Sequence, residues 1–119
     1  MNPSQKQDAQ DHLPLSPATL HILLALARAD LHGYGIMLEV TRQSVGSYKI
    51  GPGTLYDNLK KLAATGLVEE PPPTPENPTR RLYHLTQLGS AVLTAETNRL
   101  TQVLREARRC LSLPEEVQP

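Results

Sequence analysis

The chain has 119 residues and a mass of 13.1 kDa, enough for one domain with one modest core. Twelve Lys and Arg balance twelve Asp and Glu, so bulk charge gives no argument for nucleic-acid binding and only a local patch could. The single cysteine, Cys110, excludes an intramolecular disulfide and a Cys-rich metal knuckle, and the absence of Phe and Trp leaves an aliphatic core built mainly from Leu.

Residues 1–13 are polar, carry no signal-peptide core, and are expected to form a flexible arm. No apolar run approaches the ~20 residues of a membrane span. A soluble, cytoplasmic protein with no membrane partner is the expectation. Ser16-Pro17 reads as a helix start, a hydroxyl N-cap followed by proline at the first helical position. Leu20, Ile22, Leu23, Leu24 and Leu26 follow in a stripe too wide for a helix covered on one side. A second helix is expected from Tyr34 to about Val45, closed by Gly46, with Ile36, Met37 and Val40 at helical spacing. Tyr48-Lys49-Ile50 is too short for more than a minimal strand.

Pro52 opens the clearest helix, with Leu55, Leu59 and Leu62 at i, i+4 and i+7 and Gly66 at its end. If Gly66 is left-handed, Leu67 should pack back on Leu62. A short strand over 67–70 and a partner over 80–86, with Arg81, Tyr83 and Leu85 on one face, make a hairpin. The intervening PPPTPENP cannot supply a tight turn, because proline donates nothing to a ladder. A long helix then runs from about Thr86 to Leu111, and Pro114 stops it.

Three helices, a hairpin and a long helix make a mainly α winged helix-turn-helix (residues 14–86), a C-terminal dimerisation helix (87–112) and a tail (113–119). With Leu55, Leu59 and Leu62 facing the core, the third helix turns Gly53, Asp57, Lys60 and Ala64 outward. Thr54 and Lys61 flank one edge and Tyr56 the other. Small residues at its start let backbone N–H groups approach phosphates, and lysines follow one turn on. Lys49, Lys60, Lys61, Arg80 and Arg81 give a local positive surface on a neutral chain. Lys60 and Lys61 are read as phosphate contacts, whereas Tyr56 either touches DNA or packs on the wing. Tyr34 and Tyr83 are read as packing residues.

The stretches HGYGI (32–36), GPGTLYDNLKKLAATGLV (51–68) and RRLYHLTQLG (80–89), in this order, resemble the PadR family of bacterial transcriptional regulators. The resemblance spans roughly residues 15–110. It implies a winged-helix DNA-binding domain and a C-terminal helix that dimerises. It also implies a repressor of double-stranded DNA whose affinity a small-molecule effector can relieve. The single C-terminal helix resembles the compact members. The chain departs from the pattern over 71–78, a long proline-rich stretch in place of a Gly/basic wing tip, so the wing's contribution is placed at Arg80 and Arg81.

In the last helix Leu93, Leu100 and Ala107 repeat every seven residues, and Val103, Leu104 and Leu111 widen the stripe, broken at Glu96 and Thr97. These residues, together with the apolar surplus of the first helix, are expected to form a homodimer interface. Cys110 is expected to be a small buried residue. His12, His21, His32 and His84 lack metal-ligand spacing, with His32 read as a loop or cap residue, and no hydrolase, P-loop or dinucleotide motif is present. Neither catalysis, a cofactor nor a metal is expected. The competing expectation is a winged-helix protein-interaction module without DNA binding.

Overall fold

The structure, a computed structural model, describes residues 8–70, 72 and 81–114. Its order is α1 (Pro17–Arg28), α2 (Gly33–Gln43), α3 (Pro52–Ala64), β1 (Val68–Glu69), β2 (His84–Leu85) and α4 (Gln87–Cys110). Ser16 and Pro17 start α1 as their chemistry requires. The Ser16 hydroxyl accepts the Thr19 N–H at 3.2 Å, a cap worth about 1 kcal/mol, and Pro17 stands where no N–H is needed.

The wide stripe of α1 is absorbed inside the chain. Ile22, Leu23, Ala25 and Leu26 are buried, because α1 packs against α2, α3, α4 and β2. The core thus covers most of the surplus expected to join a two-fold interface and leaves Leu20 and Leu24 half-buried. The N-terminal segment also differs over its described part: residues 8–10 are helical, Ala9 is buried, and Leu13 and Leu15 pack on the core. One buried methyl and two leucines help to anchor a segment that is otherwise mostly polar.

Helix α2 buries Ile36 and Val40 and ends two residues before Val45. There the Ser44 hydroxyl accepts the Tyr48 N–H at 3.0 Å, and Val45 and Gly46 take positive φ of 52° and 78°. Residues 48–50 form no strand. Instead the Tyr48 ring stacks on His21 of α1 at 4.4 Å, and Ile50 is buried.

Helix α3 buries Leu55, Leu59 and Leu62, each worth about 1.5–3 kcal/mol of transfer free energy. Its end is a Schellman turn: Gly66 is left-handed at φ 81°, Leu67 N–H donates to the Leu62 carbonyl at 2.9 Å, and Gly66 N–H to the Ala63 carbonyl at 3.2 Å. Leu62 and Leu67 are both buried in the core, as the sequence predicts.

The hairpin is antiparallel, with Val68 opposite Leu85 and Glu69 opposite His84. Its ladder is shorter than expected, but Tyr83 continues it on another partner. Tyr83 and Leu31 exchange backbone hydrogen bonds of 2.9 and 3.3 Å, tying the linker after α1 to the wing. Tyr83 is buried while Leu82 and His84 are exposed, the alternation expected of a strand. Residues 73–80, which include most of the proline stretch, lie outside the described residues.

Thr86 joins the wing to α4. Its hydroxyl donates to the Gly66 carbonyl at 2.6 Å and accepts the Gly89 N–H at 3.0 Å. Gly89 sits where a Cβ would overlap the Leu67 carbonyl oxygen and come within 2.7 Å of Leu85 Cδ1. Helix α4 then divides. Its first half buries Gly89, Val92, Leu93 and Glu96, whereas Leu100, Val103 and Leu104 beyond it are 38%, 52% and 50% exposed. Leu93 therefore belongs to the core of its own chain, not to the exposed stripe expected to dimerise.

Candidate nucleic-acid interface

The core side of α3 fixes what its other side can offer. With Leu55, Leu59 and Leu62 buried, Gly53, Thr54, Tyr56, Asp57, Lys60, Lys61 and Ala64 are all exposed. Nothing lies within 4 Å of where a Gly53 Cβ would be, so a backbone could be approached closely there. Lys49 is also exposed, on the segment leading into α3.

The cations of this region fall into two groups. Arg42 is held by Glu39 and Arg81 by Glu70, whereas Lys49, Lys60 and Lys61 form no ion pair among the described residues. The Arg42 guanidinium holds the Glu39 carboxyl below the usual carboxylate range, so that pair stays ionised at neutral pH. Arg81, expected to meet phosphate, is engaged by Glu70 through one guanidinium nitrogen and remains partly exposed. Arg80 lies outside the described residues.

The Tyr56 ring is half-exposed, and its hydroxyl end covers Gly33 at the start of α2, where a Cβ would lie 2.8 Å from Tyr56 Cζ. That contact explains the glycine at 33: α3 and α2 meet through it. Tyr34, expected as a packing residue, is instead 68% exposed, because Gly33, Ile36 and Val40 occupy the inward face of α2. His32 takes the N-cap position without a side-chain cap bond, and its Nδ1 lies 3.4 Å from the Arg81 carbonyl oxygen.

Sequence reasoning missed two polar contacts that hold this surface. The Thr19 hydroxyl of α1 donates to Asn58 Oδ1 of α3 at 3.3 Å, and Asn58 Nδ2 donates to the Thr54 carbonyl at 2.8 Å. Glu96, read as a break in the apolar stripe, is 1% exposed and accepts the Leu15 N–H at 2.9 Å. Arg99 meets the same carboxylate at 2.5 and 3.1 Å and, with the Leu15 amide, holds it below the usual carboxylate range. A lone acid on an apolar face with arginine three residues on was the available signal.

At the far end of α4, Leu100, Val103, Leu104, Ala107 and Leu111 form an exposed stripe. Cys110, expected to be buried, is exposed there, its thiol 3.4 Å from Glu106 Oε1. Among the described residues no helix is long and apolar enough to cross a membrane.

Helix-turn-helix, two-stranded wing and outward lysine-bearing third helix define a winged-helix protein of the DNA-binding class. Residues 22–95 match the transcriptional regulator PadR-like family, and the chain belongs to it: it is a transcriptional regulator of a family that works by binding DNA. Transcriptional regulator Rv3488 of Mycobacterium tuberculosis is 36% identical over 87 residues, covering 73% of this chain and 78% of that protein. A PadR family transcription regulator from Clostridium difficile superposes with a TM-score of 0.68 at 19% identity, covering 81% of this chain and 99% of the other. Bordetella bronchiseptica BpsR, whose DNA binding is regulated by 6-hydroxynicotinic acid, superposes with a TM-score of 0.65 at 17% identity, covering 88% and 76%.

Proposed function

We propose that the protein is a homodimeric repressor that reads duplex DNA with the outer face of α3. The observation that carries this reading is the set of exposed Lys60 and Lys61, with no ion pair among the described residues, beside the small, open Gly53 and Thr54 on one exposed helix face. Lysines reach phosphates as point charges, while Thr54 and Asp57, near the helix start, are placed to meet base edges. Lys49 extends the phosphate contact ahead of α3, and Tyr56 borders the face. Arg80 and Arg81 supply the wing's contact, Arg81 through guanidinium donors that Glu70 does not occupy.

The stripe of Leu100, Val103, Leu104, Ala107 and Leu111 supports dimerisation. A helix end with this much exposed leucine and valine gains by pairing with its symmetry mate, because each side chain buried contributes about 1.5–3 kcal/mol. A dimer sitting over a promoter in the cytoplasm would block transcription, which is the repressor reading. Regulation of BpsR by a small aromatic acid supports an effector for this fold.

The test is a duplex selected from a random library by the full-length protein. Its footprint should contain two related half-sites with centres about 10 bp or a multiple apart, and scrambling one of them should abolish tight binding. Equal affinity for intact and scrambled duplexes would contradict sequence-specific reading by a dimer.

A further inference from the structure

A run of hydrogen bonds, passing once through the peptide link between Leu15 and Ser16, joins the root of the projecting α4 arm to the outer face of α3. Glu96 is the last buried residue of α4, where the helix leaves the domain. Its carboxylate accepts the N–H of Leu15, the residue just before the α1 N-cap, 81 positions away in sequence. Ser16 follows, accepting the Thr19 N–H and donating its own hydroxyl to Thr19 Oγ1 at 3.1 Å. Thr19 donates to Asn58 Oδ1, and Asn58 Nδ2 donates to the carbonyl of Thr54. From Ser16 onward every side chain donates in the same direction, so the bonds polarise one another.

We propose that Glu96, Thr19 and Asn58 are positioning residues for DNA reading, hanging the recognition helix from the root of the dimerisation arm. The proposal rests on the reading of α3 as the DNA-reading helix and α4 as the dimer arm. Apolar contacts between α1 and α3 supply burial but are non-directional, so they tolerate small rotations of one helix on the other. A hydrogen bond from Thr19 to a fixed amide does not. The amide of Asn58 is itself oriented, with its nitrogen on the Thr54 carbonyl and its oxygen on Thr19. A tilt of α4 moves Glu96, Glu96 moves the Leu15–Ser16 cap, and the cap moves the Thr19 hydroxyl on which Asn58 hangs. In a dimer the separation of two recognition helices must match the half-site spacing, so this is the angle that decides specific binding.

The test uses the full-length protein and a duplex it selects from a random library, with a scrambled duplex as the second probe. Thr19→Val and Glu96→Leu, which leaves the Leu15 N–H without its acceptor, should each weaken binding to the selected duplex about fivefold, the lower end of typical coupling between sites, with scrambled-duplex affinity unchanged. The double variant should be no weaker than the singles, since both break one relay. Thr19→Ser, which keeps the hydroxyl, should restore wild-type affinity. If Glu96→Leu fails to fold, Thr19→Val combined with Asn58→Ala carries the same non-additivity test. Losses that multiply in the double variant, or a Thr19→Val protein that melts and binds the selected duplex like the wild type, overturn the proposal. A wild type that enriches no duplex is a separate result, which overturns the DNA reading itself and the relay with it.

Discussion

His84 Nδ1 lies 2.8 Å from Asp30 Oδ1, so the second wing strand is fastened to the linker after α1 by a side-chain pair as well as by the Leu31–Tyr83 bridge. The hydrogen bond to Asp30 raises the His84 pKa above its ordinary value, against a smaller opposing effect of burial. A histidine whose pKa is higher folded than unfolded adds stability that is fully present below its unfolded pKa. That stability is lost as pH rises through the folded one. Both groups are about half-exposed, so the effect is small and screened by salt. Ring-proton NMR titration should place the His84 midpoint above that of an unstructured histidine. Asp30→Asn should bring it back, and an unshifted midpoint in the wild type would show that the pair does not form.

Gly89, near the start of α4, packs directly against the backbone of Leu67, just beyond α3. Adding a methyl group there forces it into the Leu67 carbonyl, which is backbone and cannot swing away. Gly89→Ala should therefore lower stability by about 1–3 kcal/mol, the usual range for overpacking. Gly53→Ala, where the space is open, should show no loss. Thermal unfolding of the two variants beside the wild type makes the comparison. Equal melting of all three would mean that α4 sits farther from Leu67.

The exposed far half of α4 predicts an oligomeric state. Replacing Leu100 and Leu104 together with Asp places charge on the stripe while leaving Val92, Leu93 and the domain core untouched. Sedimentation at micromolar concentration should give a dimer for the wild type and a monomer for the double variant, with the far-UV helical signal retained. A variant that still sediments as a dimer would place the interface elsewhere.

Much of this architecture is legible in local sequence because the signals are local. Ser16-Pro17, Gly66-Leu67 and the Leu55–Leu59–Leu62 spacing each involve residues within a few positions of one another. Each fixes one helix end or one helix face. The outward residues of α3 follow from that spacing by geometry alone. What the sequence hides is pairing over distance. Glu96 with Leu15, Asp30 with His84 and Thr19 with Asn58 meet only after the core has formed, and no periodicity marks them. Tyr34 and Leu93 show a related limit. Aromatic or apolar character implies that each should be covered. Which face of α2 or which half of α4 is covered depends on neighbours placed by the tertiary fold.

The central claim is that the open face of α3 meets the DNA backbone through its lysines, and the salt dependence of duplex binding tests it most directly. The slope of log affinity against log salt falls by about 0.9 for each phosphate that is no longer neutralised on B-DNA. Measured on a selected duplex, Lys60→Ala and Lys61→Ala should each flatten the slope by about one for every protomer bound. Both should weaken specific and scrambled duplexes alike. A slope unchanged from wild type in both variants would remove the α3 face from the DNA and contradict the account.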